Sequence, residues 1–504
     1  MRVIIFQISI ILSMLLVGCR EFYGEGGIDA QTDVTQETVI NPYPSGSTIP
    51  CNISPLNLAY KERGTTSVSV IDSSGTLVYF DSRRFRKQFR PSAKKWREWL
   101  LKARGGKIEI MHESIKHTWF VATESIDKYI FYRKTFLNED VRRMFVEQHD
   151  LEEFTEKILI ENSKMNGTCI NCHNGRNNNV NYSLLHIRSE YQNMNNIHEG
   201  TYLIRDGKTT RIKADESLPP HTKLVYWDFN PREEIIVFST NQIGGAAAYQ
   251  RNGHADDFMT DTLGTIIIYD IEKNNFITNS EFSDTAEYSF PIWSGDGKTL
   301  YYCRGPKRNL SRPWDFLFDL YSITFDNKTG TFGKETLIFP FSECGVSVTM
   351  PRPVPNTSKL IVTVHKTSGS IPLLTDGDYY ILDLSKTQDT AFGIGISGKP
   401  TKTVSLPKGL YAKIEPVESV NTPDHEKYHS FSSNGRWMVF SSGRLIGEQS
   451  VPHIVYVDRE GNFGKPFALP QKEPLHYTSN VWSYVYPNTS TAGANFNEIE
   501  NKLK

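Results

Sequence analysis

Two cysteines and a histidine form the segment of this chain that is most informative about chemistry. Cys169, Cys172 and His173 occur together as Cys-Ile-Asn-Cys-His. This spacing is typical of covalent attachment of a c-type haem, in which each thiol adds to one vinyl group of the porphyrin and the adjacent histidine ligates the iron. The sequence therefore predicts one covalent haem c, attached through Cys169 and Cys172, with His173 as the proximal ligand.

Two other interpretations of the Cys-x-x-Cys pair lead to different chemistry. The pair could be half of a zinc site, but no second Cys-x-x-Cys pair occurs in the chain to complete four ligands. It could be a thioredoxin-like redox pair, but no βαβ pattern surrounds it. Haem c is therefore the expected cofactor.

The second axial ligand of the iron has to come from elsewhere in the chain. The candidates near the motif are Met165, His186, Met194 and His198. The first lies too close to the attachment turn to cross the porphyrin, and the last two lie in a polar segment that is expected to be a loop. His186 lies in an apolar strand segment, and Arg188 shares its strand face. We expect His186 to ligate the iron opposite His173 and Arg188 to pair with a haem propionate, whereas the alternative for His186 is a buried core histidine.

The N-terminal residues indicate export. Arg2 is followed by an apolar run over residues 3–17, which is too short to span a membrane comfortably and is typical of a signal peptide. The run ends in Leu-Val-Gly-Cys19, which resembles the lipobox of bacterial lipoproteins and implies that Cys19 is lipidated. The alternative is an ordinary secretory signal with an incidental cysteine. Because Arg20 rather than Asp follows, the pattern resembles sorting to the outer membrane, where we expect the protein to face the periplasm.

Local patterns divide the chain into successive segments. A hairpin is expected over residues 67–80, and an amphipathic helix over 92–102 places Trp96, Trp99 and Leu100 on one face. A second helix is expected over 138–163, where apolar residues alternate with acids and lysines. The resulting division is a signal peptide (1–18), a flexible tether (19–48), a small β-rich domain (49–137), a helix with the haem segment (138–180), a propeller (181–490) and a C-terminal tail (491–504).

Repeats after residue 182 predict the main fold. Each repeat has a strand end, a polar turn and a second strand, and the repeats lie at 229–238, 293–302, 353–362 and 431–440. Such units at irregular spacing are typical of propeller blades with long loops. Strands at 182–188 and 201–206 lack a first strand, which residues 482–486 could supply, closing the ring. The expected fold class is mainly β, with a five-bladed propeller, or six blades as the alternative.

The chain as a whole resembles large lipoproteins of Bacteroidetes-type bacteria that combine a TolB-like β-propeller with one haem c motif. The resemblance covers most of residues 50–488 and is carried by residues 54–58, 169–173, 186–188, 291–298, 428–442 and 465–471. The chain departs from this pattern at 351–355, where the usual Ser-Pro-Asp-Gly type of turn is lost. Names given to members of such families rest on analogy and imply no established activity.

Composition and the remaining residues narrow the function classes. The net charge of −1 gives no electrostatic reason to expect a nucleic-acid partner. The sequence contains no Gly-rich phosphate loop and no His-Glu-x-x-His helix, so an enzyme is disfavoured, with a haem peroxidase as the minor alternative. We expect electron transfer or redox sensing, with a protein partner docked on the propeller face. The alternative is a binding or scaffold lipoprotein in which the haem is structural.

Several other polar residues and cysteines are expected to be incidental. His254, Asp256 and Asp257 form a loop cluster that could bind a metal but is expected to be solvated. His425 and His429 are expected at the propeller rim. The cysteines left after lipid and haem attachment are expected to be free thiols, although a disulfide between the last two is left open: Cys51, Cys303 and Cys344.

Overall fold

A computed structural model describes residues 39–40, 42–136, 140–165, 169–188, 199–213, 218, 222–251, 254–279, 282, 284–307, 316–366, 376–389, 394, 406–447 and 449–496. The signal peptide, Cys19 and most of the expected tether lie outside these residues. No helix within the described ranges is long and apolar enough to cross a membrane.

The N-terminal sheet is the first folded unit. Its strands pair in the order β1-β3-β5-β6-β2, with β4 on β3: β1 (Val39–Ile40), β2 (Thr48–Ile49), β3 (Leu58–Ile71), β4 (Leu77–Phe89), β5 (Lys107–His112) and β6 (Ile115–Val121). The expected hairpin is therefore confirmed. Since β1 and β2 belong to this sheet, the expectation of a tether up to residue 48 is wrong for residues 39–40 and 42–48.

The expected first helix is also confirmed. Helix α1 (Ala93–Lys102) begins after Ser92, whose hydroxyl accepts a hydrogen bond from the Lys95 backbone N–H and so caps an otherwise unpaired donor. Trp96, Trp99 and Leu100 are buried on one face. This face packs into a core that also contains Trp437 and Tyr484, so the N-terminal sheet is joined to the propeller by apolar contact.

Six further sheets of four or five strands form the described propeller. Blade 1 joins β7 (Tyr129–Phe136), β8 (Asp140–Asp150) and β9 (Glu156–Glu161) to β31 (Trp482–Ser490). Blade 2 contains β10 (Cys169–Arg176), β11 (Asn179–Arg188), β12 (Gly200–Arg205) and β13 (Lys208–Ile212). Blade 3 contains β14 (Lys223–Phe229), β15 (Ile235–Arg251), β16 (His254–Asp270) and β17 (Asn275–Ile277).

The other three blades come from the C-terminal half. Blade 4 contains β18 (Ala286–Trp293), β19 (Thr299–Pro306), β20 (Asp319–Asp326), β21 (Thr331–Phe332) and β22 (Thr336–Phe339). Blade 5 contains β23 (Ser347–Pro353), β24 (Lys359–His365), β25 (Asp378–Gln388) and β26 (Tyr411–Pro416). Blade 6 contains β27 (Glu426–Phe431), β28 (Trp437–Ser442), β29 (Val451–Tyr456) and β30 (Phe467–Ala468).

The blades form a closed ring. Each blade contacts the next along the chain, and β27 of blade 6 contacts β31 of blade 1. Apolar clusters fill the spaces between neighbouring blades, as with Phe131 and Met144 of blade 1 against Ile170 and Leu185 of blade 2. Burial of these faces is the main favourable contribution to the ring. Because the first and last strands of the propeller share blade 1, the ring has no open seam.

Four sequence-based expectations about this region are wrong. Residues 140–150 and 156–161 form β8 and β9 rather than a helix. The propeller therefore begins at Tyr129 instead of residue 181, and in the described chain it has six blades, the alternative, instead of five. The strand at 482–490 does complete a blade, but it pairs with β7 and not with the strands that follow Tyr182.

Candidate axial ligand site

The first strand of every blade carries a one-residue β-bulge at the same position. The residues at this position are Cys172, Tyr226, Phe290, Met350, Tyr428 and Tyr486. The five that follow Cys172 have φ values of 45, 53, 52, 59 and 55°. A left-handed backbone costs a residue with a side chain roughly 1 kcal/mol or more, so the surrounding sheets must hold each of them in place. Strain of this kind concentrates at functional sites.

The bulges surround a cavity on the propeller axis. The cavity has a volume of about 80 Å³, which is room for several water molecules. First strands of all six blades contribute to its wall, through Asn174, Tyr226, Phe290, Met350, Tyr428 and Tyr486. The cavity is therefore a product of the whole ring, and no single blade could form it.

Aromatic rings provide two flat parts of the wall. The rings of Tyr428 and Tyr486 have centroids 3.9 Å apart, and those of Tyr226 and Phe290 have centroids 4.3 Å apart. The guanidinium of Arg133 lies 5.1 Å from the Tyr486 ring centroid, and the ammonium of Lys427 lies 5.4 Å from that of Tyr428. Cations over aromatic faces are attracted by the ring quadrupole, so this part of the wall has positive charge behind it.

An aspartate and an arginine give the site its charges. Asp228 accepts a 2.9 Å hydrogen bond from the backbone N–H of Trp293, yet burial raises its pKa to about 7, with a partial lowering by Arg352. Burial lowers the pKa of Arg352, an effect that Asp228 partly offsets. No described residue forms a hydrogen bond or a salt bridge with the Arg352 guanidinium, which lines the cavity. Arg352 is half-buried, and its guanidinium is available to a molecule in the cavity.

His429 is a second buried donor on the same wall. Its side chain is 2% exposed, and neither ring nitrogen meets hydrogen-bond geometry with any described residue. Burial, reinforced by Arg352, holds the pKa of His429 well below its usual range, and the backbone of Ile361 opposes this only in part. The imidazole is therefore neutral, with one N–H donor and one acceptor nitrogen.

The predicted haem segment lies on the inner strand of blade 2. Cys169 is 2% exposed and packs in the apolar cluster between blades 1 and 2. By backbone register, Cys172 occupies the bulge position, and His173 follows it as His429 follows Tyr428 in blade 6. The side chains of Cys172 and His173 lie outside the description. The motif thus borders the axis, although its first cysteine is enclosed between blades.

The expected distal ligand, His186, is a buried residue of β11. It is 2% exposed, and its Nδ1 lies 2.9 Å from the Thr201 hydroxyl, which donates to the carbonyl of Leu224 in blade 3. In the backbone register His186 pairs with Asn171, and His173 pairs with the adjacent Leu185. Ligation of an iron by His186 stays a prediction.

Haem ligation by His173 and His186 stays a prediction, because the side chain of His173 lies outside the description. Arg188 ends β11 opposite Cys169, and its side chain lies outside the description. Within the described residues there is no group of three or more histidine, cysteine or acidic side chains that could hold a metal ion. Haem c stays a prediction of the sequence.

The other residues singled out from the sequence are candidate haem ligands, a candidate metal cluster and three cysteines. Met165 ends a 3-10 turn, with its side chain outside the description, and Met194 and His198 lie wholly outside it. His254, Asp256 and Asp257 belong to the backbone of β16, but their side chains are not among those described. Free thiols are confirmed for the cysteines that remain after lipid and haem attachment, which are Cys51, Cys303 and Cys344.

The expectation that His425 and His429 lie at the rim is wrong. His425 is 3% exposed, with its Nε2 3.0 Å from the Ser450 hydroxyl, and His429 lines the axial cavity.

The sequence analysis did not predict the wall of the axial cavity. A usable signal was present, because Phe290, Met350 and Tyr486 are each followed by proline in the first strand of a blade. Proline inside a strand often marks a bulge.

Comparison with known proteins adds information on the fold alone. No protein-family model matches the chain, and no curated protein matches it. The chain is similar to an oligogalacturonate lyase from Vibrio parahaemolyticus, with 12% identity over 65% of this chain and 91% of that chain and a TM-score of 0.33.

Two further solved structures show similarity at a comparably low sequence identity. A putative TolB from Agrobacterium tumefaciens is 11% identical over 58% of this chain and 99% of that chain, with a TM-score of 0.23. The β-propeller domain of the Trilobed protease from Pyrococcus furiosus is 11% identical over 87% of this chain and 97% of that chain, with a TM-score of 0.32. The assignment of this chain as a β-propeller rests on its own sheets and their order.

Proposed function

We propose that the protein is an exported binding module, anchored to the outer membrane by lipid on Cys19, whose propeller binds a small ligand in the axial cavity and docks a protein partner on its face. The observation that carries the ligand site is the guanidinium of Arg352, which lines the cavity and has no partner among the described residues. Desolvating a charged donor without an acceptor is costly, so the site is suited to a molecule that supplies one.

The construction of the wall supports the same function. Five bulge residues hold a strained backbone, and their side chains line one cavity. A rigid, preformed wall lowers the entropy cost of binding. The electron-transfer hypothesis depends on haem, which stays a prediction of the sequence, whereas the cavity wall consists of described residues. The binding function is therefore the one that the geometry supports better.

Filling the cavity tests the proposal. Asn174 lines the cavity, is half-buried and lies on β10, so Asn174→Trp should occupy ligand space while keeping the strand. Mature protein is incubated with a small-molecule extract of the periplasm, desalted, and analysed by native mass spectrometry. We expect the wild-type protein to retain a compound that Asn174→Trp loses. Gln88→Trp, on the exposed side of β4, is the matched control and should retain it. Equal retention by the wild type and Asn174→Trp would overturn the axial site.

A further inference from the structure

We propose that the axial cavity selects a small organic carboxylate, with its carboxylate on Arg352 and its body against the aromatic walls. The inference rests on the proposed function and specifies the ligand class of the same site. Its starting point is a count of unmet hydrogen bonds at the cavity wall. Arg352 has five N–H donors, and neutral His429 has one. No hydrogen bond or salt bridge joins the Arg352 guanidinium to a described residue, and both ring nitrogens of His429 are buried without one.

Asp228 interacts electrostatically with Arg352 but does not line the cavity, and its carboxylate already accepts the backbone N–H of Trp293 at 2.9 Å and that of Phe229. The guanidinium of Arg352 contains donors only. A ligand that completes these hydrogen bonds has to supply acceptor oxygens, as a carboxylate does.

The charges around the cavity favour an anion as well. Arg352 places a positive charge in the wall itself. Asp228 interacts electrostatically with Arg352, and its pKa of about 7 leaves it partly protonated near neutrality. An incoming carboxylate would favour the protonated form further, since like charges raise the pKa of a carboxyl group.

The shape of the wall distinguishes an organic anion from an inorganic one. The Tyr428–Tyr486 and Tyr226–Phe290 pairs present flat apolar surface, with ring centroids 3.9 and 4.3 Å apart within each pair. A tetrahedral phosphate would leave this surface unused. A planar carboxylate accepts two parallel N–H bonds from a guanidinium, and an apolar body attached to it can lie against the rings.

Calorimetric titration of the mature protein with benzoate, benzamide and inorganic phosphate tests the ligand class. We expect benzoate to bind at least tenfold more tightly than benzamide, which has the same ring without the charge. Arg352→Met should weaken benzoate binding at least tenfold, and Arg352→Lys should weaken it less.

Benzoate should also bind more tightly at pH 6 than at pH 8, a difference that Asp228→Asn should reduce. Since Asp228→Asn keeps the size of the side chain, it remains informative if Arg352→Met fails to fold, which thermal unfolding will show.

Three outcomes would overturn the proposal: no benzoate binding at about 10 mM, equal affinity for benzamide, or equal or tighter binding of phosphate. The variants Asn174→Trp and Arg352→Met distinguish failure of this proposal from failure of the proposed function. If the wild type retains an extract compound that Asn174→Trp loses, but Arg352→Met still retains it, the axial site stands and the carboxylate does not. If Asn174→Trp changes nothing, both proposals fall.

Discussion

The carboxylate of Glu426 and the guanidinium of Arg444 form a buried ion pair in blade 6, with Oε1 and Nη2 3.0 Å apart. The Glu426 side chain is 0% exposed and that of Arg444 is 17% exposed. Burial raises the pKa of Glu426 to about 7, an effect that Arg444 partly offsets. Arg444 therefore offsets part of the cost of ionising a buried carboxyl group.

Removing one partner of this pair should destabilise the ring. We expect Arg444→Met to lower the free energy of unfolding by about 3–5 kcal/mol, because Glu426 is left as a buried charge without compensation. The loss should be smaller at pH 5, where Glu426 is protonated, than at pH 8. Urea unfolding at both pH values measures it. Arg97→Met, at an exposed ion pair with Glu153 of 2.9 Å, is the control and should cost less than about 1 kcal/mol.

Asp127 should stabilise the closure of the ring. Its carboxylate accepts a 2.7 Å hydrogen bond from the hydroxyl of Thr489 on β31 and a 2.8 Å bond from the backbone N–H of Ser433. Hydrogen bonds to a charged group contribute about 1.5–3 kcal/mol each, so Asp127→Ala should lower the unfolding free energy by about 2–4 kcal/mol. Thermal unfolding beside the exposed-site control Asp284→Ala checks this. An equal effect of both substitutions would contradict the assignment.

Asp228 should make stability depend on pH. Its pKa is raised from 3.8 to about 7, so between these values the folded protein binds more protons than the unfolded chain. Stability from this group is complete below pH 4 and is lost as the pH rises through 7. Asp228→Asn should therefore flatten the profile between pH 4 and 7, by about 2–4 kcal/mol. Because Glu426 titrates in the same direction and remains in the variant, the quantity to compare is the difference between the two profiles.

Folding of the propeller should not require haem. We expect this because Cys169 packs among apolar side chains between blades 1 and 2. Protein made in cells without haem-attachment machinery should show the same far-ultraviolet circular dichroism and a melting temperature within a few degrees. A haem stain after denaturing electrophoresis tests the sequence prediction separately. A coloured band that Cys169→Ser removes would establish haem c.

Lipid on Cys19 should account for membrane association. A lipidated cysteine supplies apolar chains that hold a folded domain at a bilayer, and stable anchoring takes more than one chain. Cys19→Ser should therefore move the protein from the membrane fraction to the soluble periplasmic fraction, as judged by immunoblotting. Persistence of the variant in the outer-membrane pellet would show that another contact holds it there.

Sequence patterns predicted those elements whose partners are close along the chain. The hairpin over residues 67–80, helix α1 and the four repeats are local units, in which turn residues and apolar periodicity act together. The blade at 347–416 is regular even though its usual turn motif is lost. Local chemistry was therefore a sufficient guide wherever strand partners are sequence neighbours.

Prediction failed where the decisive contact is distant. Residues 140–161 contain five Glu, two Leu and two Arg, which favour helices. However, β7 is paired with β31 from the other end of the propeller, and β8 and β9 extend that sheet. The blade count failed for the same reason, since blade 1 is not contiguous. His429 illustrates the limit for the site, because its place on the axis depends on ring closure, which no local pattern describes.

Closure by β31 also sets an order of events during synthesis. The strand over Trp482–Ser490 is the last of the described strands to emerge, and until it does, the inner edge of Tyr129–Phe136 has no partner. An open strand edge can pair with other chains, so this interval exposes the nascent protein to aggregation. A chain stopped before residue 482 should accumulate in inclusion bodies or be degraded, and the ring should reach its native form only after residue 490 has been added.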